Sequence, residues 1–374
     1  MAYAIFQSLF NVKSSIEEEI KKLIRTRLET RRREFLLGGD ISSLAEIEKR
    51  GGIFRDDGRP DDAVKIMTKY GANCFRLRLF VDPPRVDVVV NDLPYTVALA
   101  KRIKAAGAKL VLDFHYSDTW ADPGKQLKPE AWKDLDFDSL VERVYNYTRE
   151  CIEYFRNEGV LPDIVQPGNE ITSGMLWPDG KLYDLGDTEQ QWRRFTLLLK
   201  AAIQGIRDGS GGEEIKILIH IDRGGDWAGT RFFFENIERY NVTYDIIGLS
   251  YYPWWHGPIS ALRETLTNAA RRFGKDIFIV ETAYPYRYVD FSKVEYANPA
   301  YLGWQMSPEG QRKFLADLIF SVLQTPNDLG AGVLWWYPES IPVSGLDVWF
   351  GGSNALFDDK GNVLPAMQLF RLLR

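Results

Sequence analysis

Short apolar segments rich in β-branched residues recur along the chain, and amphipathic segments with helical spacing separate them. The predicted strands cover residues 35–40, 72–80, 108–115, 163–169, 214–221, 244–252, 276–281 and 331–337. Several are apolar at nearly every position, as expected when both faces of a parallel sheet are covered. Residues 95–107 and 307–323 are typical of the helical segments, and Pro308 suits the first turn of the second. Eight β units, each followed by a helix, predict an α/β fold, the (β/α)8 TIM barrel.

A doubly wound sheet is the main alternative fold. It is disfavoured because no GxGxxG follows the first predicted strand and because eight β units exceed its usual number. Before the first strand, a charged segment predicts a helix over residues 14–33. No linker interrupts the alternation, so we predict a helical extension over residues 1–34 and one barrel over residues 35–374.

Charge and hydropathy exclude two classes of partner. The net charge of −5 disfavours nucleic acid, and the basic cluster at residues 31–33 lies near acidic residues 17–19, as on a solvated helix face. No apolar run is long enough to span a bilayer, so no membrane partner is predicted. The first residues lack a basic n-region, and we predict no signal peptide.

Polar and aromatic side chains concentrate where the predicted strands end. In a (β/α)8 barrel these C-terminal strand ends meet at one mouth, where active sites form. The residues at this mouth include Asp40, Arg76, Arg78, His115, Tyr116, Asp118, Trp120, Asn169, Glu170, His220, Asp222, Asp226, Trp227, Tyr251, Tyr252, Trp254, Trp255, His256, Glu281, Trp335, Trp336 and Tyr337. All three histidines of the chain are among them, so the sequence predicts a single site there.

Two glutamates, Glu170 and Glu281, lie at the ends of the fourth and seventh predicted strands. Hydrolysis of a glycosidic bond requires two facing carboxyl groups, one that protonates the leaving oxygen and one that acts as nucleophile or base. We predict Glu170 as the acid, with a raised pKa, and Glu281 as its ionised partner. A separation of about 5–5.5 Å would give retention, and one of about 6.5–9.5 Å inversion. The alternative interpretation is that both glutamates only cap helices.

The neighbouring basic residues allow more than one role. Arg76 or Arg78 could keep Glu281 ionised by charge and bidentate hydrogen bonding, or could form ion pairs inside the barrel with Asp40 or Asp113.

The histidines also allow two interpretations. His115, His220 and Asp222 could form a mononuclear metal site, but no HxH or HExxH motif supports it. A hydrogen bond from histidine to substrate or to Glu170 is favoured.

Tryptophans near the mouth could stack on sugar rings or pack in the core. They are Trp120, Trp177, Trp227, Trp254, Trp255 and Trp336. Trp336, at the end of the eighth strand, is the best candidate for the floor of the subsite that holds the cleaved sugar.

Longer motifs carry a family resemblance. They are GGDISSL (38–44), the RLR of the second strand, LDFHYSDTWADPGKQ (112–126), GNEITSGMLWPDG (168–180), SYYPWWHG (250–257), VETAYP (280–285) and ALFDDKGNVLPA (355–366). From about Leu37 onward the chain resembles the arabinogalactan endo-β-1,4-galactanases of glycoside hydrolase family 53, in a clan of retaining (β/α)8 enzymes. The resemblance implies endo-acting cleavage of β-1,4-galactan side chains of pectin, with retention. It also implies an extracellular enzyme, although without a visible signal peptide a cytoplasmic location stays open.

The resemblance also implies roles for individual residues. Glu170 would be the acid/base, Glu281 the nucleophile, and Asn169 a hydrogen-bond partner of the sugar 2-OH. The residues implied for the −1 subsite are Arg76, His115, Tyr252 and Trp336. Those implied for the galactan groove are Asp118, Trp120, Trp177, Asp222 and Asp226.

The chain departs from the family pattern at a few positions. The family usually has Asn and Trp where Arg223 and Gly225 stand, and a glutamate where Tyr337 stands, with Glu339 displaced by two residues. Pro167 replaces a small apolar residue.

Some bacterial members of the family carry a structural calcium near the last loops. Oxygen ligands could come from Asp290, Asn298, Asp347, Asn354 and Asp358. These residues form no clear ligand motif, so we predict no metal or other cofactor and leave calcium open.

Three alternative functions remain at this point. One is a related retaining β-1,4-glycanase acting on mannan or xylan, because specificity resides in the altered loops. The second is a non-catalytic galactan-binding protein, and the third a metal-dependent hydrolase.

Overall fold

A computed structural model describes residues 16–26, 34–183 and 188–373. Within the predicted helix over residues 14–33, residues 16–26 are helical. The remainder of that prediction, residues 14–15 and 27–33, lies outside the described residues. The extension over residues 1–34 as a separate unit therefore stays a prediction.

The strands form a closed parallel barrel, which confirms the predicted fold. The barrel strands, labelled β1 to β8, are Leu36–Asp40, Cys74–Leu79, Lys109–Phe114, Ile164–Pro167, Lys216–Ile221, Ile246–Ser250, Asp276–Thr282 and Gly330–Trp336. Each pairs with its neighbours in chain order, and β8 closes the barrel against β1. Every predicted strand overlaps an observed one.

Helices alternate with the strands around the barrel. Helices α1 to α10 are 16–26, Leu44–Lys49, Ala63–Tyr70, Leu93–Ala105, Phe137–Asn157, Thr188–Gly209, Trp227–Arg239, Pro253–His256, Ile259–Phe273 and Pro308–Leu323. Short 3₁₀ segments lie at Glu130–Trp132, Ile171–Ser173, Phe291–Lys293, Pro299–Tyr301, Pro326–Asp328, Trp349–Gly352 and Pro365–Leu373. Two hairpins pair Arg55–Asp56 with Arg59–Pro60 and Gly174–Met175 with Gly180–Lys181. None of the described helices is long and apolar enough to cross a membrane.

Local capping explains where two predicted helices begin. The Asp92 side chain accepts a hydrogen bond from the Tyr95 N–H, so α4 begins two residues earlier than predicted. Ser307 caps α10 in the same way through the Gly310 N–H, and Pro308 occupies the first turn as expected.

The barrel interior has an apolar layer below a polar one. One apolar cluster takes at least one side chain from every barrel strand. Strand alternation places the residue two positions later on the same face, one layer nearer the C-terminal mouth. The successive pairs are Cys74 and Arg76, Val111 and Asp113, Ile164 and Gln166, and Leu218 and His220. The sequence therefore builds a polar floor directly beneath the mouth.

Two irregularities in strand pairing flank Glu281. The register of β6 against β7 shifts between Leu249 and Ser250, so that Ser250 pairs with Glu281. The register of β7 against β8 shifts between Ile279 and Thr282. Such bulges re-aim side chains near functional sites, and here they bring Ser250 and Glu281 to the same edge of the barrel mouth.

Helix α1 packs on the body of the barrel. Ile20 and Ile24 are buried in the main hydrophobic core. Glu17 forms an ion pair with Arg312 of α10. The apolar face of this charged helix is thus covered by the barrel.

Candidate active site

A cleft of about 1110 Å³ opens at the C-terminal mouth of the barrel. Its wall includes Glu170 and Glu281 together with Asn169, Tyr252 and Trp336. The mouth predicted from the strand ends therefore carries this cleft.

Glu170 follows β4 in a strained turn. Its backbone has φ 46° and ψ 51°, in the left-handed region that non-glycine residues rarely adopt. The preceding Gly168, at φ 101°, lets the chain turn at the end of β4. This turn directs the Glu170 side chain into the cleft wall, where Ser250 Oγ donates a hydrogen bond to Oε1 at 2.6 Å.

Glu281 is held by two donors. Arg76 Nη2 donates to Oε2 at 2.7 Å, and the Tyr252 hydroxyl donates to Oε1 at 2.9 Å. Burial raises the pKa of Glu281, while the charge and hydrogen bond of Arg76 and the bond from Tyr252 oppose that rise. The pKa of Glu281 stays raised overall, but Arg76 and Tyr252 stabilise its carboxylate form against the effect of burial.

The environment of Glu170 favours its neutral form. Burial raises the pKa of Glu170 well above its ordinary value, and the negative charges of Glu281 and Asp222 raise it further. The hydrogen bond from Ser250 acts in the opposite direction. Two carboxyl groups whose environments differ in this way can divide proton donation and nucleophilic attack between them.

The two glutamates are close together. A carboxylate oxygen of Glu170 and one of Glu281 lie within 4.8 Å of each other. Nearest oxygens at this distance agree with the shorter of the two spacings found in glycosidases, about 5–5.5 Å between carboxyl groups, rather than with the longer one of about 6.5–9.5 Å.

Arg76 combines the two roles that the sequence left open. Its Nε donates to Asp40 Oδ2 at 2.8 Å while Nη2 binds Glu281, and Asp113 Oδ2 lies 4.0 Å from Nη2. It is fully buried in the polar floor of the barrel. The same guanidinium therefore serves as an interior ion pair and as a support of the site.

Arg78 has a different position. It donates to Ser43 Oγ at 3.1 Å and to the Val88 carbonyl at 2.8 Å. Its guanidinium lies 4.4 Å from the centre of the Trp120 ring, so its contacts support the cleft wall from behind.

Asn169 is fixed from both ends of its amide. Nδ2 donates to the Ala121 carbonyl at 2.8 Å. Oδ1 accepts from Gln166 Nε2 at 3.2 Å and lies 3.1 Å from His220 Nδ1. Gln166 was not among the predicted site residues, although its place two residues after the apolar Ile164 could have indicated it.

His115 supports the wall of the cleft from within the barrel. Its Nε2 lies 3.2 Å from Asp113 Oδ2, and its Nδ1 accepts from the Ala121 N–H at 3.0 Å. The ring contacts Trp120 edge to face at 5.9 Å. These contacts hold the loop that carries Ala121 and Trp120.

The structure does not assemble the metal site considered from the sequence. In the described part of the chain, the one set of three potential ligand side chains within 4.8 Å is Glu170, His220 and Glu281. His220 Nε2 lies 2.8 Å from Ser250 Oγ and Nδ1 lies 3.0 Å from Gln166 Nε2, so both ring nitrogens already have protein partners. This donor set is arranged for hydrogen bonding.

Two groups of aromatic side chains line the cleft. In one group, Trp120 contacts Trp336 at 6.1 Å. In the other, Trp255 stacks near Trp349 at 6.3 Å, and the nearby lining residue Tyr296 is 89% exposed. Trp349 and Tyr296 were missed from the sequence because they lie in long loops well beyond β7 and β8.

Of the other four residues predicted for the galactan groove, one lines the cleft and three do not. Asp222 lines it and accepts a hydrogen bond from Thr172. Asp118 accepts from the backbone of two other loops, and Asp226 caps α7. Trp177 donates to the Ser173 carbonyl at 2.9 Å. Asp118, Trp177 and Asp226 are not part of the cleft wall.

The altered fifth-strand loop is tightly packed. Arg223 lines the cleft, with Nε 3.5 Å from Asp222 Oδ1. A Cβ atom on Gly225 would lie 1.6 Å from the His256 carbonyl oxygen, so no larger side chain fits there without moving backbone. Trp254 next to this turn is fully buried, which makes it a core residue rather than a sugar platform.

Three of the five candidate calcium ligands have protein partners of their own. Asp290 accepts hydrogen bonds from Ser292, and Asn298 caps a short 3₁₀ segment. Asp358 accepts from Lys360 and Asn362 within one turn. Asp347 lines the cleft, and the buried side-chain oxygen and nitrogen of Asn354 have no hydrogen-bond partner among the described residues. Calcium therefore stays an open expectation.

Comparison with known proteins identifies relatives along most of the chain. A Thermothelomyces thermophilus arabinogalactan endo-β-1,4-galactanase is 34% identical over 348 residues, covering 89% of this chain and 98% of that protein. An Emericella nidulans arabinogalactan endo-β-1,4-galactanase is 36% identical over 318 residues, covering 83% and 86%. An uncharacterised Niallia circulans protein is 44% identical over 349 residues, covering 90% and 93%.

Solved structures and the family pattern agree. The Ignisphaera aggregans GH53 catalytic domain superposes with a TM-score of 0.83 at 34% identity, covering 91% of this chain and 96% of that one. A fungal β-1,4-galactanase structure gives 0.78 at 32% identity, covering 90% and 98%. The sequence pattern of Glycosyl hydrolase family 53 matches residues 36–370. The chain therefore belongs to glycosyl hydrolase family 53.

Proposed function

We propose that the protein is an endo-acting β-1,4-galactanase that hydrolyses (arabino)galactan with retention of anomeric configuration. The observation that carries this proposal is the pair Glu170 and Glu281, whose nearest carboxylate oxygens lie within 4.8 Å of each other. The pKa of Glu170 is raised well above its ordinary value, whereas Arg76 and Tyr252 counter the rise at Glu281. Glu170 is the acid/base and Glu281 the nucleophile.

The reaction proceeds in two balanced steps. Glu281 forms a bond to the anomeric carbon while the glycosidic C–O bond breaks, and Glu170 gives its proton to the leaving oxygen. Water then attacks the same carbon, Glu170 takes a proton from that water, and the bond to Glu281 breaks. Each residue thus returns to its starting protonation state.

Residues around the pair support the proposed −1 subsite. Arg76 and Tyr252 orient Glu281 through the hydrogen bonds described above. Asn169, fixed through its amide, is available to the sugar 2-OH, an interaction that strengthens in the transition state. Trp336 lies at the floor of the cleft, where an apolar sugar face could stack.

The named relatives support galactan as the substrate, since they are arabinogalactan endo-β-1,4-galactanases. The cleft is open to solvent and lined by two groups of aromatic side chains, which suits binding of several sugar units of a chain cleaved internally. A plant cell-wall polymer is encountered outside cells, and we therefore propose an extracellular location. The proposed chemistry needs no cofactor, because the two carboxyl groups supply both proton and nucleophile.

The test uses purified protein with debranched β-1,4-galactan, mannan and xylan, following new reducing ends and product sizes. Short galacto-oligosaccharides that appear early from galactan are expected. Cleavage of mannan or xylan alone would mean that the catalytic pair is right and the substrate wrong. Galactan binding without cleavage would favour a binding protein.

Two variants serve as controls in that assay. Glu170→Gln and Glu281→Gln should each lower galactan turnover by about 10³-fold or more, because general acid catalysis alone contributes about 10²–10⁴-fold. Unchanged thermal unfolding would show that the fold is retained. An active double variant would contradict the assignment of the pair.

A further inference from the structure

A hydrogen-bond chain behind the cleft ends on one oxygen of Glu170. Gln166 Nε2 lies 3.0 Å from His220 Nδ1, His220 Nε2 lies 2.8 Å from Ser250 Oγ, and Ser250 Oγ lies 2.6 Å from Glu170 Oε1. Gln166, His220 and Ser250 are fully buried, so water does not compete for these contacts. The chain reaches Glu170 from the barrel wall.

We propose that Ser250 and His220 are positioning residues that keep the transferable proton of Glu170 on Oε2, the oxygen left free for the glycosidic oxygen of the substrate. The proposal rests on the proposed function, in which Glu170 is the acid/base. It assigns the donor and the acceptor in each of these hydrogen bonds. It thereby gives a role to His220 on β5 and to Ser250 on the neighbouring β6.

The neighbours of His220 Nδ1 favour one tautomer of the ring. Two N–H donors face this nitrogen, the Gln166 amide at 3.0 Å and the Glu170 backbone at 3.4 Å. Gln166 Nε2 gives one of its two N–H groups to Asp113 Oδ1 at 2.7 Å, and His220 Nδ1 is nearer to it than its other acceptors, which include Asn169 Oδ1 at 3.2 Å. We therefore assign Nδ1 as an acceptor and place the ring hydrogen on Nε2. The opposite tautomer would instead use the 3.1 Å contact between Nδ1 and Asn169 Oδ1.

The direction of the Ser250 hydroxyl follows from that tautomer. Nε2–H of His220 donates to Oγ, which leaves the single hydroxyl hydrogen of Ser250 for Glu170 Oε1. A proton on Oε1 would place two hydrogens between the same pair of oxygens. The acidic proton consequently resides on Oε2.

The charged groups around these hydrogen bonds agree with the proposed donor and acceptor roles. Burial and the positive charge of Arg76 lower the pKa of His220 well below its ordinary value, so the ring stays neutral. The acidic groups that face Glu170 are Glu281, Asp222 and Asp122, and each raises the pKa of Glu170. Ser250 alone among these neighbours lowers it, through its hydrogen bond to the carboxylate.

The experiment measures kcat/KM of the Ser250→Ala variant on two substrates, only one of which needs an acid to protonate its leaving group. Galactan has a poor leaving group and needs the proton from Glu170, whereas a 2,4-dinitrophenyl β-galactobioside does not. We expect kcat/KM on galactan to fall about ten- to a hundredfold and that on the aryl substrate to change less than about twofold. The alkaline limb of the galactan profile should move to higher pH, because a bond favouring ionised Glu170 is lost.

Two further variants keep the test decisive. Ser250→Thr retains the hydroxyl and should restore most of the galactan activity. Ser321→Ala removes another buried hydroxyl, on α10, and should leave the ratio of the two activities unchanged.

The outcomes separate the proposal from the proposed function. Equal losses on both substrates, no loss on either, or an unmoved alkaline limb in Ser250→Ala would overturn the positioning role while wild-type cleavage of galactan stands. A wild-type protein that cleaves neither substrate would contradict the proposed function, and the positioning role with it.

Discussion

Arg76 joins two parts of the active site through one guanidinium. Its Nε binds Asp40 in the polar floor of the barrel, and its Nη2 binds Glu281 at the mouth. A planar fork can make both contacts at once, whereas an ammonium group binds as a point charge. The orientation of Glu281 thus depends on the geometry of Arg76 as well as on its charge.

Arg76→Lys should therefore change the pH dependence of catalysis. Weaker support of the charged form raises the pKa of Glu281, which must be ionised to attack. We expect the acidic limb of kcat/KM on galactan to move to higher pH, with the maximum lowered about a hundredfold by misplacement of the nucleophile. Arg78→Lys, on the same strand but without a hydrogen bond to Glu281, is the matched control. An acidic limb that stays fixed in Arg76→Lys would contradict this role.

Glu339 is a buried carboxyl group beside the polar floor of the barrel. Its Oε1 accepts from the Ser43 N–H at 3.0 Å, and Oε2 has no hydrogen-bond partner within the described part of the chain. Burial, followed by the negative charge of Asp40, raises the pKa of Glu339 well above its ordinary value. The folded protein therefore retains a proton that the unfolded chain loses at lower pH.

This retained proton has a consequence for stability. Above the ordinary pKa of a glutamate, unfolding releases the proton, so the wild-type protein loses stability as pH rises toward the folded pKa of Glu339. Glu339→Gln keeps an acceptor for Ser43 and removes the titration. The difference in unfolding free energy between variant and wild type should shift in favour of the variant by about 1.4 kcal/mol per pH unit over this range. Denaturant unfolding at about pH 5 and about pH 8 measures it, and a pH-independent difference would contradict a proton held on Glu339.

Helix α7 shows how a motif residue can serve an element rather than the cleft. The Asp226 side chain accepts a hydrogen bond from the Gly229 N–H at 2.9 Å and caps the helix. An uncapped N–H at this end would lose its partner, which costs about 0.5–2 kcal/mol.

Variants at Asp226 separate the cap from a substrate contact. Asp226→Ala should lower the free energy of unfolding by about 1 kcal/mol, while Asp226→Asn, which also caps helices well, should cost less. In both variants the KM for galactan should stay at the wild-type value. A raised KM in the alanine variant without loss of stability would instead place Asp226 among the substrate contacts.

The strands and the placement of both glutamates at one mouth were predictable because they follow local rules. Alternation placed Arg76 on the inward face of β2, and the strand ends placed Glu170 and Glu281 at one mouth. Loop residues were less predictable, because a loop can turn a side chain toward either the cleft or its own backbone. Asp118 binds loop backbone, whereas Trp349 reaches the cleft from far beyond β8.

The barrel fold alone does not determine which glycan the protein cleaves. A Penicillium canescens endo-1,4-β-xylanase shares the fold with a TM-score of 0.61 at only 13% identity. Substrate choice must therefore come from the loops that form the cleft, including Arg223 and the aromatic side chains around Trp349.

The proposed substrate also predicts how salt affects activity. Galactan is uncharged, so its binding should not depend on long-range attraction to the protein, and KM should change less than about twofold between low and high ionic strength. Initial rates at several salt concentrations measure this. A steep rise of KM with salt would indicate an acidic glycan held by charge, with Arg223 as the residue to examine.

The short distance between Glu170 and Glu281 predicts a retaining mechanism. The anomeric configuration of the first product tests that mechanism most directly. NMR spectra taken at early times with β-1,4-galacto-oligosaccharides would distinguish the anomers before mutarotation. New reducing ends that appear first in the β configuration are expected from a covalent intermediate on Glu281. Products that appear first in the α configuration would contradict that intermediate and the assignment of the pair.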